Sequence, residues 1–502
     1  MTDRPPLGSL PAPPASRTVP EGFRARLSAG VMLWAGGRVV VGGSPWKVST
    51  LSPAAQEVVL RLRAVGARGI ALDSSRDRAV LRVLLDRGFA ECAPTPSMNA
   101  NVEDVEITIP VLDDPERLQD LLATLPTVRV VVIDDGSTDA DAIADVASSA
   151  GARTVRHEVN RGPAAARNTA LQSTTASFVA FIDADCLADP SWPARLLHHF
   201  DDPAVAAVAA RVTPDGEGSS LLERYEAIRS SLDMGDQPEL VRPGARLGFV
   251  PSAALVVRRS AIQPGGFDEH LRLGEDVDLV WRLADAGWLV RYDPSVVVRH
   301  RTRARWGSWL RRKLEYGTSA PDLEMRHPGK VAPARPSLWT VATLALIATG
   351  RPWAGVVLQA VPFAVLSRRF APIPEGRVLA ARVTAQGVLA DTMALGQAMR
   401  REWWPVGAVA LVASPWSRTA RIGALMVITP LLWEWADRRP PMNPAAFTVM
   451  RLIDDAAYGT GVITASVRAR QWRTLAPRPR GTARAVEVMN GILRRFAPGA
   501  GP

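Results

Sequence analysis

The chain has 502 residues, 47% of them hydrophobic, a formal net charge of +10 and two cysteines, Cys92 and Cys186. That length calls for two or three domains rather than one, and two cysteines exclude a disulfide framework and fit a reducing compartment. The positive charge does not imply a nucleic-acid partner: no zinc-finger or RNA-binding motif accompanies it, and most of the excess arginine follows Arg299, beside Trp-rich apolar segments, a membrane-surface pattern.

Residues 1–19 are rich in Pro and Ser and lack an apolar run, so a disordered tail is expected there rather than a secretory signal. Residues 20–95 read as a small α+β domain. Strands are expected at Val31–Trp34, Val39–Val41 and Trp46–Ser49, split by Gly36-Gly37 and Gly42-Gly43 turns. Ser52 caps a helix that Pro53 opens, and Ala55, Val58, Val59 and Leu62 follow at helical spacing. A second helix over Arg76–Arg87 places Val80, Leu81, Leu84 and Leu85 on one face and stops at Gly88. Pro94–Asn101 is the linker.

From residue 104 to residue 300 strand and helix patterns alternate, which predicts a largely parallel sheet. Strands are expected at Val105–Ile109, Val128–Ile133, Thr154–His157 and Phe178–Ile182. The second of them runs into Asp134-Asp135-Gly136-Ser137. Ligands of open α/β sheets sit at that carboxyl edge, where carboxylates can bond a nucleoside's hydroxyls or base; Asp-Gly-Ser is equally ordinary turn chemistry. In "NRGPAAARNTAL" Pro163 opens a helix, and Arg167 lies one turn in, close enough to its N-terminus to meet a diphosphate or to stay a surface arginine.

The strand Phe178–Ile182 ends in Asp183-Ala184-Asp185. Carboxylates at the end of a buried strand are costly unless compensated. An extended Asp-x-Asp turns both to one side, where hard oxygens suit Mg2+ or Mn2+. Further on, Gly265 and Gly266 predict a mobile turn, and Glu275, Asp276 and Asp278 open a helix. Acids there complement the helix dipole; one of them could also serve as the base for an acceptor hydroxyl. Trp281 is either a platform for a sugar ring or ordinary core.

Residues 331–470 hold the apolar segments Pro336–Gly350, Pro352–Ser367, Trp403–Ser417 and Ile422–Trp433. Each is shorter than the roughly 20 residues that span a bilayer, so a mostly helical, hydrophobic, membrane-associated region is expected. Residues 471–502 form a basic tail.

Four motifs in order across residues 104–300 resemble the family 2 glycosyltransferases: the DDGS segment, the G-x-A-x-A-R-N-like segment, the Asp-Ala-Asp, and Glu275-Asp276 before an apolar helix. The resemblance implies an α/β GT-A catalytic domain over residues 104–330, a nucleotide-diphosphate sugar donor, a divalent cation and inversion at the anomeric carbon. It assigns Asp134 and Asp135 to the nucleoside, Arg167 to the diphosphate side, Asp183 and Asp185 to the metal and Asp276 to the base. Asp183 and Glu275 border the donor, Trp281 the sugar, and His300 lies where some relatives place a further metal ligand. The Q-x-x-R-W motif of processive members is reduced here to Arg303-Ala304-Arg305-Trp306, which weakens a cellulose-synthase-like reading.

The whole layout is also similar to the glycosyltransferases of the mycofactocin system: a small N-terminal domain, the catalytic domain, then "RRKLEYGTSAPDLEMRHPGK" and a hydrophobic C-terminal region. That similarity implies β-linked transfer of glucose from UDP-glucose to a peptide-derived redox cofactor precursor, in the cytoplasm or at the cytoplasmic face of the cell membrane. The N-terminal strands-then-helices order resembles peptide-recognition domains, which take up an extended peptide along an open strand; a structural clamp is the alternative. A lipid or polysaccharide acceptor is the competing enzymatic reading, and a nonenzymatic sugar-nucleotide or peptide-binding protein the competing reading of another class.

Overall fold

The computed structural model describes residues 10–15, 17–94, 101–125, 129–216, 218–301 and 305–480. Outside them fall residues 1–9 and 16 of the expected tail, most of the linker, Val128 of an expected strand, Arg303 and Ala304, and the basic tail from residue 481. The chain divides into two compact units, Met1–Ala304 and Arg305–Pro502.

In the first unit, strand β1 (Arg24–Leu27) precedes a meander of β2 (Met32–Trp34), β3 (Val39–Gly42) and β4 (Lys47–Thr50). Helix α1 (Pro53–Val65), strand β5 (Ile70–Ala71), helix α2 (Ser75–Asp86) and strand β6 (Ala90–Cys92) follow, with β1 between β5 and β6 in an antiparallel sheet. Both helices have the side-chain caps their sequences predict: Ser52 accepts from Ala55 N and Ser74 from Asp77 N. Val40, Val58, Val59, Leu62, Leu81, Leu84, Leu85 and Phe89 share one core. The described part of the expected tail is ordered by burial. Val19 joins this core, Leu10 is buried, and the Pro11 carbonyl accepts from Trp288 Nε1. Two apolar side chains in a Pro-rich segment are enough to dock it. Nor is the small domain set apart, because Arg82 pairs with Asp202 at 2.6 Å and Ser44 Oγ donates to the Leu240 carbonyl.

The remaining strands of this unit are β7 (Val105–Val111), β8 (Val130–Asp134), β9 (Arg153–Arg156), β10 (Phe178–Ile182), β11 (Cys186–Ala188), β12 (Val205–Pro214), β13 (Glu239–Val241), β14 (Ala254–Arg258) and β15 (Leu289–His300). They form one nine-stranded sheet in the order β11-β15-β12-β14-β10-β7-β8-β9, with β13 beside β15. Its helices include α3 (Pro115–Ala123), α4 (Ala140–Ser149), α5 (Pro163–Ser173), α6 (Leu221–Arg229), α7 (Arg259–Ile262) and α8 (Glu275–Asp285). The sheet is mixed, which corrects the expected largely parallel one. Strands β9, β8, β7 and β10 run parallel, whereas β14 is antiparallel to both β10 and β12. The regular strand–helix alternation that enforces parallel crossovers ends at β10; β11 then follows directly without a helix. Buried on both faces, β8 and β10 read as continuous apolar runs.

The second unit is helical: α9 (Trp306–Thr318), α10 (Ala320–Arg326), α11 (Leu338–Ala348), α12 (Pro352–Leu358), α13 (Ala360–Arg369), α14 (Gly376–Arg400), α15 (Trp404–Ala413), α16 (Arg418–Arg438) and α17 (Pro444–Arg468). Helices α9 and α10 pack on α17, so residues 305–330 lie with the C-terminal helices and not, as expected, with the catalytic domain. Glycine makes the α9–α17 crossing possible: a Cβ on Gly461 would lie 2.0 Å from the Leu314 carbonyl oxygen, and one on Gly317 2.1 Å from that of Tyr458. The four apolar segments became α11, the pair α12 and α13, α15 and the centre of α16. The 25-residue α14 had no counterpart among the expected segments; its Arg377, Arg382 and Asp391 break the apolar run. Yet α14 is the one helix among the described residues long and apolar enough to cross a membrane.

Candidate active site

Strand β8 delivers Asp134 and Asp135 to the carboxyl edge of the sheet, and both are buried. Asp134 Oδ1 accepts from Ser137 N at 2.9 Å, and its Oδ2 pairs with Arg156, whose Nη2 also donates to the Ser137 carbonyl. The turn leaves through Gly136 at φ +81°, where a Cβ would strike Val159 and Asn160 backbone atoms at 2.6 Å. Asp135 accepts from Arg161 N and Gly162 N, the residues that lead into α5, and from His157 Nδ1 at 2.7 Å. His157 in turn meets Thr169 Oγ1 through Nε2. Asp135 therefore fixes where α5 begins relative to β8. His157 and Arg156 were not among the expected site residues; a solitary His at a strand end carries no pattern from which to read it.

Arg167, on the second turn of α5, is buried rather than at the surface. Its Nη1 donates to Glu275 Oε1 at 2.8 Å and its Nη2 to Asp183 Oδ1 at 2.9 Å, while the guanidinium lies 5.7 Å from the Phe267 ring centre. Burial works against its charge, but Asp183 and Glu275 outweigh it and hold the guanidinium above its usual pKa. One arginine thus gathers the end of β10 and the start of α8. The neighbouring Asn168 holds the 265–269 loop. Its Nδ2 donates to the Phe267 carbonyl and Glu269 Oε1, and its Oδ1 accepts from Phe267 N. Arg282 Nη2 donates to the Gly266 carbonyl. The turn expected to be mobile is tied from two helices.

Asp183 and Asp185 stand at the end of β10, with Asp183 about a third exposed. The antiparallel register of β11 on β15 pairs Cys186 with His300. It brings His300 Nε2 to 3.1 Å from Asp185 Oδ2, across 115 residues of sequence. Arg117 Nη1 stands 3.9 Å from the same oxygen, and Arg117, Arg301, Asp114, Glu116 and Asp215 line an open, polar cleft alongside. Asp185 and His300 thus meet at the sheet edge, whereas Asp183 turns Oδ1 to Arg167; the expected trio of Asp183, Asp185 and His300 is not drawn into one tight cluster.

Helix α8 starts from Gly274 in the left-handed region, followed at once by Glu275 and Asp276. Glu275 is buried; burial first, then the adjacent Asp276, push its carboxyl up to about 7 against the pull of Arg167. The carboxyl of Asp276 is also raised, by burial first, with Arg167 opposing; its Oδ1 accepts from Val277 N. Asp276 is half-buried by solvent contact, whereas Glu275 is buried. Asp278 pairs with Arg282 one turn on and braces the helix. Trp281 is buried, and its Nε1 donates to the Gly248 carbonyl. That position braces the loop before β14 and leaves little ring face for a sugar.

Sequence comparisons bear on this arrangement. The family model described as Glycosyl transferase family 2 matches residues 108–263. A pre-mycofactocin glycosyltransferase of Mycobacterium tuberculosis is 35% identical over 480 residues, which cover 92% of this chain and 99% of that one. A poly-β-1,6-N-acetyl-D-glucosamine synthase of Staphylococcus epidermidis is 24% identical over 220 residues, 42% of this chain and 53% of its own. Among solved structures, a mannosyltransferase of Pyrobaculum calidifontis in complex with GDP-Man and Mn2+ is 19% identical with a TM-score of 0.35, covering 66% of this chain and 87% of that one.

Proposed function

We propose the following reaction for this chain, which belongs to glycosyl transferase family 2, has the GT-A fold of that family and is a glycosyltransferase. It transfers a sugar, glucose in β-linkage, from a nucleotide diphosphate, UDP-glucose, to the peptide-derived precursor of a redox cofactor, the mycofactocin precursor. The observation that carries this reading is the acid cluster around Arg167. Asp183, Glu275 and Asp276 come from two elements more than 80 residues apart and converge on one guanidinium at the open edge of the sheet.

Asp276 is the base in this reading. Its raised proton affinity suits it to take the acceptor hydroxyl's proton as the new bond forms, a contribution of roughly 10²–10⁴-fold. The attack comes from the face opposite the diphosphate, so one displacement inverts the anomeric carbon and no covalent intermediate is required. Asp183, Asp185 and His300 would hold a divalent cation, whose chemistry there is to offset charge on the departing diphosphate. Arg167 keeps Asp183 and Glu275 in register, and Asp134 and Asp135 shape the pocket for the nucleoside. Trp281 supports the acceptor side as a brace.

Two further parts belong to the proposal. Strand β4 pairs only with β3 among the described residues, and its free edge, beside α1, supports docking of an extended peptide. Addition of acceptor peptide should protect the Lys47–Thr50 amides from hydrogen exchange; unchanged exchange would remove the docking role. The exposed apolar side chains of the second unit support attachment to a membrane at its cytoplasmic face. Trp353 and Trp416 are 81% and 82% exposed, with Val409 and Val412 nearby in sequence on α15.

The test of the reaction is incubation of the full-length protein with nucleotide sugars, Mg2+ or Mn2+ and the precursor peptide, read by mass spectrometry. Addition of one hexose mass to the peptide from UDP-glucose is expected. Transfer to a lipid acceptor and none to the peptide would replace the acceptor, and no transfer from any donor would overturn the reading.

A further inference from the structure

A second cluster of ligating atoms lies away from the sheet edge. Strand β6 of the N-terminal part ends in Cys92. The 3₁₀ stretch Ala194–Asp201 that follows β11 carries His198 and His199. All three side chains are more than nine-tenths buried. One sulfur and two ring nitrogens from them lie within 4.8 Å of one another.

The hydrogen bonds around the rings show which nitrogens carry lone pairs. His198 Nδ1 is 2.9 Å from the Arg195 carbonyl, which only accepts, so that nitrogen holds the proton and Nε2 is left with its lone pair. His199 Nε2 is 2.9 Å from Asp293 Oδ2 on β15 and donates to that carboxylate. In the neutral ring Nδ1 is then the lone-pair nitrogen, and that atom is buried with no hydrogen-bond partner. A carboxylate behind one ring nitrogen with the other turned inward is how a metal-binding histidine is oriented. Cys92 Sγ makes only long contacts, 3.5 Å and 3.6 Å, to the carbonyls of His198 and Ala93.

We infer that Cys92, His198 and His199 form a structural Zn2+ site that staples the N-terminal α+β part to the catalytic sheet. One sulfur with two imidazole nitrogens is a donor set that selects zinc over the hard cations expected at Asp183 and Asp185. On binding, the Cys92 S–H bond breaks, a Zn–S bond forms, and the proton leaves to solvent; no electrons move. Zinc bonds to His199 Nδ1 and His198 Nε2 complete the protein's share. The ligands lie 106 residues apart along the chain, on either side of the linker, so the ion closes a long loop.

Elemental analysis of full-length protein purified from zinc-supplemented cells tests this. About one zinc per chain is expected, retained through dialysis against a chelator weak enough only to strip Mg2+. Cys92→Ser and His199→Gln should each lower it below about a tenth of that. Asp293→Asn should keep the site but weaken zinc retention by about 10- to 100-fold. Should the ligand variants not fold, the wild-type protein answers alone: Co2+ exchanged into it should show a thiolate-to-cobalt charge-transfer band. Zinc below about a tenth per chain, with no uptake of Zn2+ or Co2+ on dialysis, overturns the site.

Discussion

The buried charges at the sheet edge and those in the helical unit are built to opposite rules. At the sheet edge, Asp183, Glu275 and Asp276 surround the single guanidinium of Arg167, with Asp185 a short step away. In the helical unit, cations and acids are matched. Arg400 Nε meets Asp455 Oδ2 at 2.7 Å, Arg451 reaches both Asp454 and Asp455, and Lys313 stands 3.4 Å from Asp454. The matched cluster has no work left for a ligand; it holds α9, α14 and α17 together. The acid-rich cluster is short of positive charge, and a divalent cation is what the proposed function would place beside it. Buried charge alone therefore does not mark a site; the imbalance does.

Chelation should expose the difference most strongly. With a chelator present transfer should disappear and return with Mn2+ or Mg2+, while the melting temperature of the helical unit stays put. Activity that persists through thorough chelation would cancel the role given to Asp183, Asp185 and His300. Next in size, Asp276→Asn should lower turnover by about 10²-fold or more with donor binding nearly unchanged. Near-normal turnover would leave Asp276 a helix-terminal acid and shift attention to Glu275.

Breaking the matched cluster should do the reverse. Arg400→Met leaves Asp455 buried with less compensation and should cost about 3–5 kcal/mol of stability. The surviving folded fraction should keep its turnover. A variant that melts like wild type but transfers poorly would make this cluster part of the site after all.

Smaller effects sharpen the contrast at the surface and in pH. The helical unit turns charge inward and apolar side chains outward. Trp353→Ser with Trp416→Ser should therefore cut co-sedimentation with anionic vesicles by about tenfold; equal binding would show that these faces meet protein instead. Burial and the adjacent Asp276 raise the Glu275 carboxyl from its ordinary value of 4.5 to about 7. Its contribution is most favourable below the unfolded value and is lost as pH rises through the folded one. Relative to wild type, Glu275→Gln should thus gain stability as pH climbs from about 4.5 to about 7. A difference flat across that window would mean the carboxyl stays ionised beside Arg167.

How legible this was in the sequence followed the kind of signal. Where a short pattern carries its own physics, the elements emerged nearly residue for residue. Ser52-Pro53 started a helix, and Phe178–Ile182 is the observed β10 without a residue's error. What depends on distant partners did not show. Asn168 clamping the Phe267 loop, or Asp135 holding the start of α5, needs tertiary contact that no window of sequence contains. The parallel sheet was over-extended because β14 enters antiparallel, a choice set by chain reversal. Helix α14 hid because Arg377, Arg382 and Asp391 interrupt its apolar run; Asp391 turns inward to Ser337, Thr340 and Arg480.

The pairing of β11 with β15 carries a consequence for synthesis. A nascent chain that has emerged only as far as β11 already displays Asp183 and Asp185, yet the strand that must flank β11, with His300 at its end, comes more than 100 residues later. Closing so long a loop is a late and entropically costly step. A fragment that ends at β11 presents Asp183 and Asp185 without His300 or Asp276, the residues proposed to complete the cation site and to act as base. On the proposed assignment, the set of Asp183, Asp185, Asp276 and His300 is complete only once the last strand of the sheet docks, so a chain released before β15 should not hydrolyse the donor.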